Sequence, residues 1–254
     1  MLEVHSEGIV LSAVPYRERG RIVTVLTSGR GVVSLVVRLS TRRAHLISLT
    51  TPLCRGAFIY KPGRTYLHSL IDGEVLNLYL NVRRSHLHLQ VAGQMLNMVK
   101  QSQDAEHSSP SLYRLFVSFL KQLNLSSFHP HLIYSSFCMK WLKYEGLLSC
   151  SLYCNRCFHH LASALHLGES LCVHCSPQET SQFSKKEWEI IYLLYHLRSF
   201  SELIPISFSQ ELYKKLTRCL YNEEYFPFPS PPPMEKSGSK MIDMKSSRGE
   251  MRGK

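Results

Sequence analysis

The residues whose chemistry is easiest to read are four of the eight cysteines. Cys154-Asn155-Arg156-Cys157 is followed, after fourteen residues, by Cys172-Val173-His174-Cys175. Two CxxC knuckles at this separation suit a tetrahedral Zn2+ site: each knuckle puts two thiolates on one tight turn, and the intervening loop lets the second pair close the tetrahedron. Four sulfurs fill the coordination shell and leave no position for a reacting water, so the site reads as structural. It would fold a loop too polar to fold alone. Asn155 and Gly168 suit the turns, and Arg156 is close enough to offset some thiolate charge. His159, His160 and His174 are nearby alternative ligands, and Cys150 is an alternative to Cys154. Cys54, Cys138 and Cys219 are isolated and read as buried small hydrophobes.

The second chemical signal is charge. The chain carries 30 Lys and Arg against 19 Asp and Glu, a formal net charge of +11, and such a field favours polyanions. Its first 80 residues hold ten basic side chains and five acidic ones, and nine of the ten are arginine. The guanidinium fork pairs with phosphate and stacks on bases. Arg17, Arg19 and Arg21 cluster between the first strands, Arg38, Arg42 and Arg43 follow the third, and Lys61 and Arg64 flank a later turn. Tyr16, Tyr60 and Tyr66 offer stacking faces. The plainer reading of any one of these arginines is a solvated loop. Arg83-Arg84 reads as a solvated face or an interdomain contact.

Other chemistries lack their residues. There is no GxxxxGK[ST] phosphate loop, no GxSxG elbow and no HExxH. His5-Ser6-Glu7 matches the HxE of zinc deaminases only formally, because neither CxxC follows a proline. The expectation is a protein that is not an enzyme. No apolar run approaches the ~18 residues of a membrane helix. The Met-Leu-Glu-Val-His-Ser-Glu start has neither the basic nor the apolar region of a signal peptide, so a cytoplasmic chain with reduced cysteines and no membrane partner is expected.

The elements that must carry these groups fall into two kinds. Residues 8–14, 21–27, 31–38, 56–61 and 65–71 read as short strands, with turns at Gly29-Arg30-Gly31 and Pro62-Gly63. Five such strands suit a small closed barrel such as the OB-fold; pattern alone does not separate it from an SH3-like barrel. From about residue 81 the apolar period becomes helical. One helix is expected over 83–100, one opened by Ser109 as N-cap and Pro110, one from Pro130 to a stop at Gly146, one capped by Ser184 with Glu187, and one over 210–220. The predicted architecture is α+β and multidomain: an OB-fold over 1–80, an all-α helical domain over 81–149 and 179–224, a four-cysteine zinc finger inserted at 150–178, and a disordered Pro-rich and basic tail at 225–254.

In this order the parts resemble the RecO family. The opening EGIVLSAVPYRERGRIVTVLTSGRGVVSLVVR is similar to that family's first strands, RLSTRR to its arginine-rich loop, and Leu49-Thr50-Thr51-Pro52-Leu53 to its lead into the next strand. FCMKWLKYEGLLSCSLYCNRCFHHL and GESLCVHC resemble its helix, glycine turn and four-cysteine finger, so the likeness runs over about residues 5–200. The chain departs from the pattern in lacking a glycine near Leu39, in the RCLYNEEYF end of its last helix, and in its Pro-rich tail.

The resemblance implies a recombination mediator of DNA repair. Such a protein binds single- and double-stranded DNA and anneals complementary strands. It works with RecR and the C-terminal tail of single-strand-binding protein, acts indirectly on RecA, and is nucleoid-associated. It implies the zinc role for Cys154, Cys157, Cys172 and Cys175, and DNA contact for Arg38, Arg42 and Arg43. The competing readings are a zinc-containing sequence-specific DNA regulator and an RNA- or ribosome-associated OB protein.

Overall fold

A computed structural model describes residues 3–18, 20–40, 43–105, 107 and 109–221. Arg19, Arg42 and the expected tail at 225–254 lie outside the described residues.

Five strands come first: β1 Val4–Tyr16, β2 Gly20–Thr27, β3 Gly31–Arg38, β4 Arg55–Lys61 and β5 Leu67–Asn77. They close into a barrel in the order β1-β2-β3-β5-β4, with β4 returning to β1 and β3 running parallel to β5. This is the five-stranded Greek-key order of an OB-fold. The strand sequences explain the closure. Alternating positions (Val23 and Val25, Val33, Leu35 and Val37, Phe58 and Tyr60) all face one interior and are almost fully buried. Tyr60 is therefore no stacking face for a ligand, contrary to expectation; its ring packs inside the barrel 5.4 Å from that of His68.

A short helix, α1 His45–Leu49, joins β3 to β4 where the sequence suggested only a loop. Its Leu46 and Leu49 are completely buried under the barrel. Leu49 sits so close to Gly56 of β4 that a side-chain carbon there would lie 2.3 Å from it.

The helices are α2 Leu80–Arg84, α3 His86–Ser102, α4 Pro110–Leu125, α5 Pro130–Tyr144, α6 Lys185–His196 and α7 Gln210–Leu220. The single helix expected over 83–100 is two, because Ser85 is extended and its hydroxyl accepts the His88 N–H to start α3. Ser109 caps α4 with its backbone carbonyl, not its side chain. The Ser184 and Glu187 capping box forms as read. Among the described residues no helix is long and apolar enough to cross a membrane.

The outer flank of the barrel and the helices share an apolar core, separate from the barrel interior. Ile9, Leu11, Leu26, Val32 and Leu53 point away from the barrel interior and are buried among side chains of α3, α4 and α5. Polar ties reinforce the seam. Arg83 donates to the Leu78 carbonyl at 2.6 Å and to the Pro52 carbonyl at 2.7 Å, the interdomain alternative foreseen for it. Glu7 of β1 accepts from Arg55 of β4 at 2.7 Å and from the Tyr113 hydroxyl of α4 at 2.5 Å.

The Arg55 hydrogen bond outweighs burial and, with that of Tyr113, holds the Glu7 carboxyl below the usual glutamate range. A depressed carboxyl stabilises the fold above its unfolded pKa and loses that stabilisation as pH falls through its folded one. Glu7→Gln is expected to cost about 1 kcal/mol at neutral pH, because the site is a third open to solvent. The melting gap between variant and parent should close below the usual glutamate pKa, and an equal gap in acid and at neutrality would refute the assignment.

Candidate nucleic-acid interface and four-cysteine centre

A groove of about 480 Å³ on the barrel wall is lined by Tyr16 and Arg17 from the β1–β2 turn, Val36 and Arg38 from β3, Arg43 ahead of α1, and Thr65, Leu67, Ser69 and Leu70 from the β4–β5 loop and β5. The hairpin register creates it. Pairing of β2 with β3 sets Arg38 opposite Gly20, so the first-turn and post-β3 arginines become neighbours. Parallel pairing of β3 with β5 brings up the β4–β5 loop. This wall corresponds to the strand 2–3 face and flanking loops that OB-folds use for oligonucleotides. Arg17 stands in the left-handed region at φ 56°, its guanidinium 5.1 Å from the centroid of the Tyr16 ring. Arg17, Arg38 and Arg43 are exposed, and none forms an ion pair with a described carboxylate.

The other basic candidates are placed differently. Arg21 lines an adjoining groove and donates to the Thr50 hydroxyl at 3.2 Å, closing the end of α1. Lys61 ends β4 and lies 3.6 Å from Glu3. Arg64 and Tyr66 are exposed in the β4–β5 loop. Thr65, in the loop that follows Pro62-Gly63, and Ser69 of β5 were not singled out in sequence.

The cysteine knuckles meet on a small insertion built on the hairpin β6 Ala164–His166 and β7 Glu169–Leu171. Its two-residue turn needs positive φ at Leu167 and Gly168, 50° and 78°. Gly168 is demanded twice, since a side-chain carbon there would fall 2.1 Å from the Leu147 carbonyl. Asn155 N–H donates to the Ser170 carbonyl, and the buried Ser170 hydroxyl donates to the Ser149 carbonyl, so the first knuckle is tied to the strand that supports it.

The Sγ atoms of Cys154, Cys157, Cys172 and Cys175 all lie within 4.8 Å of one another. The Cys157 and Cys172 sulfurs are 3.8 Å apart. A zinc–sulfur bond of about 2.3 Å gives a tetrahedron edge of about 3.8 Å, so the donor set fits Zn2+. Backbone N–H groups point at the sulfurs. The His159 N–H, then the side chain and N–H of His160, bring the Cys157 thiol down to about 5. The hydrogen bond with Cys172 instead holds Cys175 up at about 12, because four thiolates this close cannot all ionise unaided. A divalent cation would remove that conflict.

The alternative ligands stand aside. Cys150 is buried in the helical core. His160 approaches the Cys157 sulfur at 3.6 Å as a hydrogen-bonding neighbour, and His174 packs on His160 with ring centroids 5.0 Å apart. The Arg156 side chain pairs with Glu169 at 3.5 Å; its backbone N–H is what reaches Cys154.

Comparison with known proteins follows the same outline. Residues 1–79 match the family model described as Recombination protein O N terminal. Beyond it, the chain is 25% identical over 208 residues to the DNA repair protein RecO of Chlamydia pneumoniae, covering 81% of this chain and 82% of that one. It is 26% identical over 210 residues to the RecO of Chlamydia muridarum, covering 81% and 89%. It is 26% identical over 196 residues to that of Syntrophomonas wolfei, covering 75% and 78%. With the barrel, the helices and the cysteine hairpin in the order the likeness requires, the chain is similar over most of its length to the RecO family of DNA repair proteins.

Proposed function

We propose that this protein is a non-catalytic recombination mediator that binds single- and double-stranded DNA through its barrel and anneals complementary strands. The observation that carries the reading is the convergence of Arg17, Arg38 and Arg43 beside Tyr16 on one barrel wall, with no described carboxylate paired to them. Arg21, Lys61 and Arg64 extend the basic surface around it, and DNA contact is also proposed for Arg19 and Arg42, which lie outside the described residues. Two DNA strands repel through their phosphates. A surface that neutralises phosphates releases counterions and lowers that barrier without nucleotide hydrolysis. Tyr16 and the exposed Tyr66 supply faces on which any base can stack, which suits tolerance of sequence.

The likeness to the RecO family supports partners to match: RecR, the C-terminal tail of single-strand-binding protein, and RecA as the protein whose loading is helped. It also supports a cytoplasmic, nucleoid-associated setting. Cys154, Cys157, Cys172 and Cys175 would hold a structural Zn2+, whose chemistry is confined to fixing the hairpin. The functional units would follow the segments 1–80, 81–149 with 179–224, 150–178 and 225–254.

Random-sequence oligonucleotides test the proposal. The protein is expected to accelerate annealing of complementary DNA, with and without coating by single-strand-binding protein, and to lose this as salt rises. Annealing no faster than in buffer would sink it. Preference for one duplex sequence, or for RNA over DNA, would transfer the protein to a regulatory or RNA-associated role.

A further inference from the structure

From Pro110 to Tyr144 the sequence holds Arg114, Lys121, Lys140 and Lys143 and no Asp or Glu. These residues make α4 and α5, and the fold turns the imbalance into a surface. Arg114 and Lys121 stand two turns apart on α4, about 10 Å along its axis. They line a groove of about 380 Å³ at the seam between helix and barrel. Phe200 forms part of its wall, held edge-on against Phe119 with centroids 4.9 Å apart. The one carboxylate in this groove, Glu7, is already engaged by Arg55 and Tyr113.

Past Phe200 the chain leads back to Arg198, whose charge is felt at Lys140 on α5. Burial, then the charges of Lys143 and Arg198, bring the Lys140 ammonium down to about 8 despite Glu202 nearby. Glu202 itself accepts from the N–H groups of Arg198 and Ser199 at 3.1 and 2.7 Å. None of Arg114, Lys121, Lys140, Lys143 or Arg198 is ion-paired among the described residues. Cations without a carboxylate partner, two in a groove walled by a half-buried ring and three clustered beyond it with Lys143 over the Tyr195 ring at 4.3 Å, match a repeating phosphate backbone.

We infer that the Arg114–Lys121 groove and the Lys140, Lys143 and Arg198 cluster form a second polynucleotide track, distinct from the barrel groove, that holds the second of the two strands to be paired. The two tracks lie at opposite ends of β1: Glu7 marks one, Tyr16 the other, about 30 Å apart along the strand. This rests on the proposed annealing role and adds to it a physical place for each strand. With both strands on one molecule, pairing becomes a local event at raised effective concentration.

Native mass spectrometry with an oligothymidylate of about six nucleotides, short enough to occupy one groove, tests this. Such strands cannot pair with one another. The wild type at low salt is expected to take two oligonucleotides per chain. Arg114→Gln/Lys121→Gln/Lys143→Gln should take one, with unchanged affinity for the first and an unchanged melting temperature. The barrel variant Arg17→Ala/Arg38→Ala/Arg43→Ala should also keep one, through the other track. A wild type that binds a single oligonucleotide, or a helical variant that still binds two, overturns the second track and leaves the DNA-binding proposal standing. A wild type that binds none overturns both.

Discussion

The purified protein is expected to contain about one zinc per chain, and Cys172→Ser/Cys175→Ser to contain none. The effect should be large because metal binding and folding of the finger are one event: apparent binding energies of structural zinc are on the order of 10 to 16 kcal/mol. Little else holds the finger together. Its apolar cluster is no more than Leu171 with the four cysteines. The damage should also spread. Trp188 of α6 donates to the Ser151 carbonyl at 3.2 Å, Phe183 N–H donates to the Ser163 carbonyl, and Ser149 N–H to that of Gly168. Loss of the ion should therefore raise amide exchange through the hairpin and the start of α6 while β1–β5 stay protected. Acidification should release the metal, since its ligands must be thiolates. Metal analysis finding well below one zinc in the wild type would overturn the assignment.

Replacing Arg17, Arg38 and Arg43 together by alanine is expected to weaken single-stranded DNA binding on the order of 100-fold at low salt. The salt slope should flatten by about 2, three lost contacts at about 0.7 each. All three side chains are exposed and without ion pairs among the described residues, so the melting temperature should not move. Arg30→Ala is the control: it is exposed in the β2–β3 turn and does not line the groove. Salt-titrated anisotropy showing equal slopes for triple variant and parent would remove the groove from consideration.

The strands were legible where composition and period agreed. β3 begins and ends where the sequence placed it, and β2 begins one residue earlier. Gly73-Glu74 hid the far end of β5, because that segment takes its strand form from its neighbour rather than from its own side chains. α1 spans five residues, too few for a helical period to show. The break at Ser85 has no Pro or Gly to announce it. Burial of Tyr60 could have been read from its parity with Phe58 two residues earlier.

Of the candidate site, the cysteine cluster was visible because ligand spacing is local chemistry. The arginine groove was half visible: Arg17 and Arg38 are brought together by a hairpin whose turn is written in the sequence. The addition of Thr65 and Ser69 depends on the parallel β3–β5 pairing, a contact between distant segments that no local pattern encodes.

The shared core described above bears on how this molecule is allowed to change. Ile9, Leu11, Leu26, Val32 and Leu53 face helices rather than the barrel interior. A fragment cut at residue 79, where the family likeness of the first segment stops, would carry an oily flank into water and be prone to aggregate. Grafting this barrel onto a relative's helices would succeed only if the facing residues travelled with it. A pull on DNA gripped by the barrel would likewise be felt by the helices at once, because the packed side chains run unbroken from one to the other.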